Sequence, residues 1–238
     1  MTSDESKTWS RVDLAGTPAD VFDPPGPIAG RGGAVLYLHP RGGELAPDWP
    51  ALTAALTEHR LACVAPHGGT SWWVGPAERH LVDEVVPWAR QTFGVAKLAA
   101  VGVSMGGSGA VRLGFRRPDL FPVVGSIAGA FDFHDRHGRG TEIDALYESA
   151  ERARLDTAIL HLNPTAYPKV WLACDPTDAE WWRGNDRLHE KLTAYGVPHV
   201  ADLDTEAGGH TFAYFDRMVG PLVAWAAAEL AAEGKRLL

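Results

Sequence analysis

One segment constrains the fold of this chain more than any other: residues 102–106, which read G-V-S-M-G. This G-x-S-x-G pattern follows an apolar run at residues 97–101 and precedes a small-residue stretch that can open a helix. A serine on a sharp strand-to-helix turn has its Oγ lifted clear of the sheet, and flanking glycines keep side chains out of the crowded turn. The pattern therefore predicts a strand, a tight turn and a helix, with Ser104 presented at the turn as a nucleophile.

Strand-like and helix-like segments alternate along the chain, which is typical of a mostly parallel sheet. Strands are predicted at residues 11–14, 20–23, 34–39, 61–65, 98–103, 123–128, 169–174 and 198–203. Helices are predicted at residues 49–58, 81–93, 142–155, 181–195 and 216–233, with a kink or late start at Pro87 and glycines after the last two, Gly196 and Gly234. The pattern indicates an α/β fold with about eight strands and helices on both faces.

Composition limits the classes of protein this chain can be. Its 238 residues, 45% hydrophobic, are enough for one sizeable core, so a single domain over residues 1–238 is expected. The formal net charge is -8 and the 22 Lys and Arg are scattered, so neither nucleic acid nor a membrane is an expected partner. Residues 1–7 lack an apolar signal region, which favours a cytoplasmic location. Cys63 and Cys174 end apolar runs and are expected to be buried thiols.

A serine nucleophile needs a base and an acid that orients the base. His210 lies in a G-G-H-T-F run, after a predicted strand and just before the last helix, and is the candidate base. Two carboxylates, Asp175 and Asp178, follow the strand at residues 169–174. Asp178 is favoured as the acid because it lies further out, whereas Asp175 can cap the turn at the strand end.

The same chemistry needs two backbone N–H groups for the oxyanion. Met105, the residue after the serine, supplies the first. The second is expected from the loop H-P-R-G-G that begins at His39. Pro40 has no N–H, which leaves Arg41, or less favourably Gly42, as the donor. The His39 ring is expected to bond under the loop, and the Arg41 side chain to be solvated rather than to bind an acidic substrate group.

Two tryptophan pairs follow predicted strand ends, where ligands bind in open α/β sheets. These residues, Trp72, Trp73, Trp181 and Trp182, are candidates for the substrate pocket, with plain packing as an equal alternative. Residues 131–168 lie between two strands and predict a short cap-like insertion over an open cleft. No cofactor or metal is expected, since the H-D-R-H run at residues 134–137 has no third ligand at a recognisable spacing.

With these parts in order, the chain resembles the α/β-hydrolase superfamily. Within it, the chain is similar to the esterase group that includes S-formylglutathione hydrolase (esterase D), feruloyl and acetyl-xylan esterases and bacterial mycolyltransferases. The resemblance spans residues 34–230 and is strongest at residues 104–110, 117–121 and 208–212. It maps nucleophile, acid and base onto Ser104, Asp178 and His210, and the oxyanion donors onto Arg41 and Met105. The proline in the oxyanion loop and the lack of long insertions depart from the group.

The resulting prediction is a serine carboxylic-ester hydrolase that acts on short-chain or small acyl esters through an acyl-enzyme on Ser104. A thioesterase or acyltransferase with the same triad is an alternative, and a peptidase is a weaker one because no substrate-filtering domain is present. From another class, the alternative is a catalytically silent hydrolase-fold protein that binds a ligand or partner. The expected partners are a small-molecule ester or thioester and a second copy of the chain in a homodimer.

Overall fold

The computed structural model describes residues 9–26, 32–43 and 46–236. The N-terminal segment from which a cytoplasmic location was predicted therefore lies outside the described residues. An eight-stranded sheet has the order β1-β2-β4-β3-β5-β6-β7-β8. Its strands are β1 (Ser10–Leu14), β2 (Thr17–Phe22), β3 (Gly33–Leu38), β4 (Leu61–Pro66), β5 (Ala99–Val103), β6 (Val123–Ile127), β7 (Lys169–Ala173) and β8 (His199–Asp202). The pairs from β4 to β8 are parallel and the two pairs made by β2 are antiparallel, which confirms the predicted mostly parallel sheet.

Helices connect the strands and cover the sheet. They are α1 (Pro50–Glu58), α2 (Pro76–His80), α3 (Val86–Phe93), α4 (Met105–Arg116), α5 (Glu142–Leu146), α6 (Ala150–Leu155), α7 (Ala158–His161), α8 (Trp182–Ala194) and α9 (Phe212–Arg236). Two glycines show that the helices lie on both faces. A Cβ on Gly114 of α4 would meet Val124, whereas a Cβ on Gly125 would meet Leu222 of α9. Because adjacent residues of a strand point to opposite faces, α4 and α9 pack on opposite sides of β6.

The strand order brings the loop after β3 and the turn after β5 to the same edge of the sheet. From β3 the chain moves outward to β4 and then returns to β5 on the other side of β3. Ligands bind outside the carboxyl ends of parallel strands at such a point of reversal. The loop after β3 begins at His39 and the turn after β5 holds Ser104, so both lie at this point.

Three predicted helices differ from the structure. The predicted helix at residues 142–155 is split into α5 and α6, because Ser149 caps a new helix by accepting the N–H of Arg152. The helix predicted from residue 81 begins at Pro76, and a π-helical turn, Leu81–Val85, precedes Pro87. A proline removes the N–H of the regular helix ladder, which the wider turn accommodates.

The third difference is at the C-terminus, where α9 begins before residue 216 and runs through Gly234 to Arg236. A glycine inside a helix costs about 1 kcal/mol relative to alanine, which lowers helix stability without ending the helix. Cys63 and Cys174 are both buried and carry free thiols. Within the described residues, no helix is both long and apolar enough to span a bilayer.

Candidate active site

The turn that holds Ser104 is strained and tightly packed. Ser104 has φ 54 and ψ -118, a left-handed conformation that costs a non-glycine residue roughly 1–3 kcal/mol. A Cβ on Gly106 would lie 1.9 Å from the carbonyl oxygen of Leu38, and a Cβ on Gly102 would lie 2.4 Å from the Gly106 backbone. The glycines therefore let α4 approach β5 and β3 closely enough to form this turn.

Ser104 and His210 lie in direct contact. His210 Nε2 is 3.0 Å from Ser104 Oγ, and His210 Nδ1 is 2.7 Å from Asp178 Oδ2. A carboxylate at Nδ1 holds the proton on that nitrogen and leaves Nε2 free to accept the serine proton. Ser104 retains 8% of its surface exposed, so a substrate can reach the hydroxyl. The structure brings together the three residues that the sequence nominated.

Asp178 is held as a buried carboxylate. Its Oδ1 accepts the backbone N–H groups of Glu180 (3.1 Å) and Trp181 (3.0 Å), and its Oδ2 contacts His210 and accepts the thiol of Cys174 at 3.7 Å. Burial works against the charged form. The hydrogen bonds from His210, Trp181 and Glu180 outweigh burial and keep the pKa of Asp178 below its usual value.

Asp175 has a different set of partners. Its Oδ1 accepts the N–H and hydroxyl of Thr177, and its Oδ2 accepts the N–H groups of Ala207 (2.6 Å) and Gly209 (2.9 Å). Burial works against its charge, but these hydrogen bonds outweigh burial and lower the pKa to about 2. Asp175 thus ties the turn after β7 to the loop that carries His210, and it makes no contact with the His210 ring among the described hydrogen bonds.

The described part of the loop after β3 contains a backbone N–H without an acceptor, at Arg41. Gly42 donates its N–H to Gly69 O (2.8 Å), so Gly42 is not available as an oxyanion donor. The Arg41 N–H has no acceptor among the described residues. His39 bonds under the loop: its Nδ1 lies 2.6 Å from Pro40 O, and its Nε2 accepts the N–H of Gly68 at 2.8 Å.

Met105 is the first residue of α4, and the first N–H groups of a helix have no acceptor within the helix. Its N–H is therefore free at the serine, next to the positive end of the helix dipole. Arg41 lines the cleft and Met105 follows Ser104 in the chain, and the backbone N–H of each has no acceptor among the described residues. This arrangement suits the stabilisation of an oxyanion.

The Arg41 side chain is partly exposed and pairs with a carboxylate of the protein. It makes two hydrogen bonds to Glu142 of α5, Nη2 to Oε1 at 2.7 Å and Nε to Oε2 at 3.1 Å. The side chain is 47% exposed, as expected for a solvated residue, and it also forms an ion pair. Its partner lies 101 residues away, in the predicted cap segment.

The cleft at Ser104 has a volume of about 360 Å³. Its lining residues are Pro40, Arg41, Gly42, Gly43, Trp72, Ser104, Arg136, Glu180, Trp181, His210, Thr211, Phe212 and Phe215. Two of the four predicted tryptophans, Trp72 and Trp181, lie in this lining. Trp73 instead packs against Gly109 of α4 and donates its indole N–H to His39 O at 3.3 Å. Trp182 donates its indole N–H to Leu203 O at 3.2 Å.

Several lining side chains were not predicted from the sequence, among them Phe212, Phe215, Arg136 and Glu180. Phe212 and Phe215 are one turn apart at the start of α9, and their closeness to His210 in the chain could have indicated them. Arg136 and Glu180 form an ion pair, and the Arg136 guanidinium lies 5.0 Å from the centroid of the Trp181 ring. No local pattern connects two residues 44 positions apart.

The described residues contain no group of three or more His, Cys, Asp or Glu that could hold a metal ion. Of the H-D-R-H run, His134 lies 3.4 Å from Asp135, and His137 Nε2 lies 3.0 Å from Tyr147 O. Both histidines have contacts within the cap segment.

Comparison with known proteins identifies the family. The sequence matches the family described as "Putative esterase" over residues 34–219, which is most of the chain. The chain belongs to this esterase family. None of the curated protein sequences matches it. Family membership confirms the predicted resemblance and makes the chain an enzyme of the serine hydrolase type.

Several solved structures share the fold. A fluorophosphonate-binding serine hydrolase F of Staphylococcus aureus has a TM-score of 0.78 and 17% identity, with 92% of this chain and 99% of that chain covered. A ferulic acid esterase has a TM-score of 0.77 and 15% identity, with 93% and 99% covered. An S-formylglutathione hydrolase from Agrobacterium tumefaciens has a TM-score of 0.76 and 16% identity, with 93% and 94% covered. These similarities confirm the α/β-hydrolase fold.

Proposed function

We propose that this chain is a serine carboxylic-ester hydrolase that works through an acyl-enzyme on Ser104. The observation that carries the proposal is the chain of two hydrogen bonds from Ser104 through His210 to Asp178, of 3.0 Å and 2.7 Å. This is the arrangement that lets an imidazole remove the serine proton while a carboxylate stabilises the resulting cation.

The reaction then follows from the positions of the groups. His210 Nε2 takes the proton from Ser104 Oγ as the oxygen attacks the ester carbonyl carbon. The carbonyl oxygen becomes negative and is stabilised by the N–H groups of Arg41 and Met105. The tetrahedral intermediate collapses, the C–O bond to the alcohol breaks, and the alcohol leaves with the proton from His210. A water molecule, activated by the same imidazole, hydrolyses the acyl-enzyme and restores Ser104.

The substrate is proposed to be a small ester with an uncharged acyl group. The charged side chains that line the cleft, Arg41, Arg136 and Glu180, are all in ion pairs with other residues of the protein, which weakens their attraction for a substrate charge. The remaining lining side chains are largely aromatic. Each methylene that contacts this surface contributes at most about 0.8 kcal/mol, and nothing once the acyl chain extends into water. We therefore expect kcat/KM for p-nitrophenyl esters to be highest at about two to six carbons.

Labelling with a fluorophosphonate, followed by peptide mapping, tests the nucleophile directly. The label is expected on Ser104 in the wild type and absent in Ser104→Ala, with ester turnover reduced to the small rate that an oxyanion hole retains without its nucleophile. Ser108→Ala is the matched control, because Ser108 lies in the same helix and donates its hydroxyl to Met105 O instead of facing the cleft. Wild-type turnover by Ser104→Ala would contradict the proposal.

The assignment of the acid has its own test. Asp178→Asn should lower kcat by roughly 10⁴-fold, because an amide favours the wrong imidazole tautomer. If Asp175→Asn produced that loss and Asp178→Asn did not, Asp175 would be the acid.

The ester series tests the proposed substrate class. A value of kcat/KM that still increases with acyl length at twelve carbons would contradict it.

A further inference from the structure

Arg41 is held from the cap by an ion pair with a defined geometry. The Arg41 guanidinium binds both oxygens of the Glu142 carboxylate, at 2.7 and 3.1 Å. Two parallel hydrogen bonds fix the relative orientation of the two groups as well as their distance. Arg41 lies in the loop after β3, and Glu142 is the first residue of α5. The pair therefore fastens the oxyanion loop to the cap segment.

Glu142 is held as a carboxylate. Its pKa is lowered, chiefly through its hydrogen bond with Arg41, which outweighs partial burial. The charged carboxylate joins α5 to the loop that carries Arg41.

Hydrogen bonds from the His39 ring and from the Gly43 backbone orient the Arg41 N–H. This N–H shares a trans peptide plane with Pro40 O, which lies 2.6 Å from His39 Nδ1 and accepts the N–H of Gly43 at 3.0 Å. Because the two groups of a trans peptide point in opposite directions, fixing Pro40 O fixes the direction of the Arg41 N–H. Gly42 N–H ties the loop to Gly69 O, and Glu142 holds the Arg41 side chain, so both contacts bear on the distance of the loop from Ser104.

We propose that Glu142 is a positioning residue for the oxyanion hole. Its two-point contact with Arg41, made from α5, holds the Arg41 N–H at the distance from Ser104 that the developing oxyanion requires. This inference rests on the proposed function, since it assigns Glu142 a part in the same reaction. A surface ion pair with no such part would leave turnover and inhibitor binding unchanged.

The first experiment replaces the carboxylate by its amide. Glu142→Gln should lower kcat by about tenfold with KM changed less than about twofold, because a displaced oxyanion donor weakens binding of the transition state more than of the ester. The loss should be smaller than the roughly 10²–10³-fold loss that follows removal of a donor. Glu151→Gln is the matched control: it removes the same charge from the cap segment, where Glu151 pairs only with exposed Arg154 among its described ion pairs. Its kcat should equal that of the wild type.

The second experiment separates positioning from general stability. A trifluoromethyl ketone adds to the serine and places a negative oxygen in the oxyanion hole, so its inhibition constant should rise in Glu142→Gln by the factor by which kcat/KM falls. Arg41→Gln keeps the backbone N–H and removes the same pair from the other side. It should give the same loss, and the double variant should lose no more than either single variant. Arg41→Gln also serves as the test if Glu142→Gln does not fold.

Three results would overturn the proposal: wild-type kcat and inhibitor binding in Glu142→Gln, an equal loss in Glu151→Gln, or additive losses in the double variant. Each is distinct from failure of the proposed function. If the proposed function were wrong, the wild type would not be labelled at Ser104, or Ser104→Ala would remain active. With Ser104 labelled and required for turnover, the variants at residue 142 test the positioning role alone.

Discussion

The two sides of the cleft are built by different means. On the side of Ser104 and His210, backbone contacts determine the geometry: Gly106 lies against Leu38 O, and Asp175 binds the N–H groups of Ala207 and Gly209. The rest of the cleft lining, which includes Arg41, Arg136 and Glu180, is called the cap side. There, pairs of long side chains join distant segments, as in Arg41 with Glu142 and Arg136 with Glu180.

This difference separates the positions of the cleft at which substitution is excluded from those at which it is tolerated. A backbone contact with no room for a methyl group excludes substitution, since a closely packed interior transmits the resulting shift. Ion pairs between partly exposed side chains contribute little to folding stability. Replacing them changes the shape and charge of the cleft while the fold is kept. The cap side is therefore where differences in substrate preference can arise.

The largest effect on stability is expected at the turn after β5. Gly106→Ala would place a Cβ 1.9 Å from Leu38 O, so α4 or β3 must move. We expect the free energy of unfolding to fall by about 3 kcal/mol or more, with ester turnover lost because Ser104 moves with the helix. Chemical denaturation measures the first effect and initial rates the second.

The matched control for that substitution is Gly234→Ala in α9, where an added Cβ meets nothing within 4 Å. Alanine is favoured over glycine in a helix by roughly 0.5–1 kcal/mol, so this variant should be slightly more stable. If Gly106→Ala were as stable and as active as Gly234→Ala, close backbone packing would not be what builds the catalytic side.

The next effect is expected at Asp175, and it depends on pH. Its pKa is lowered from 3.8 to about 2 in the folded chain, so its contribution to stability is complete above about pH 4 and is lost as the pH falls towards 2. The shift corresponds to about 2 kcal/mol. Asp175→Asn should therefore be less stable than the wild type by about that amount at pH 7, and the difference should shrink below pH 4.

Urea titrations of Asp175→Asn at several pH values measure this difference. Asp204→Asn is the control, because Asp204 is an exposed carboxylate on the same connection between β8 and α9. A constant difference between Asp175→Asn and the wild type from pH 7 to pH 2 would show that the charge of Asp175 does not tie the histidine loop in place.

The same division explains what the sequence could predict. The turn at Ser104, the order of serine, acid and histidine, and the strand pattern are local features, because glycines, strand ends and short loops determine them within a few residues. The choice of Asp178 over Asp175 also came from local position, and only Asp178 contacts the His210 ring among the described hydrogen bonds.

The cap side could not be predicted in this way. The apolar pattern at residues 142–155 indicates one helix, but Tyr147 turns inward to donate its hydroxyl to Asp156, and Ser149 begins a new helix. The sequence around Arg41 contains no pattern that indicates a partner 101 residues away. Trp72 and Trp73 are adjacent in the chain, yet only Trp72 lines the cleft. Pairings of this kind depend on tertiary packing, on which periodicity and spacing carry no information.

The smallest effect is expected from Arg136 on the cap side. Its guanidinium pairs with Glu180, whose side chain is 53% exposed, and covers the ring of Trp181. Arg136→Ala should change the free energy of unfolding by less than about 1 kcal/mol. It should also uncover Trp181 for the substrate, and each methylene that reaches the ring adds up to about 0.8 kcal/mol, or roughly fourfold in kcat/KM. The ratio of rates for six-carbon and two-carbon esters should rise accordingly, whereas Arg154→Ala, which breaks an exposed pair outside the cleft lining, should leave the ratio unchanged. An unaltered ratio in Arg136→Ala would mean that the acyl chain does not reach this part of the cap side. Differences in substrate preference would then depend on Trp72 and Phe212 instead.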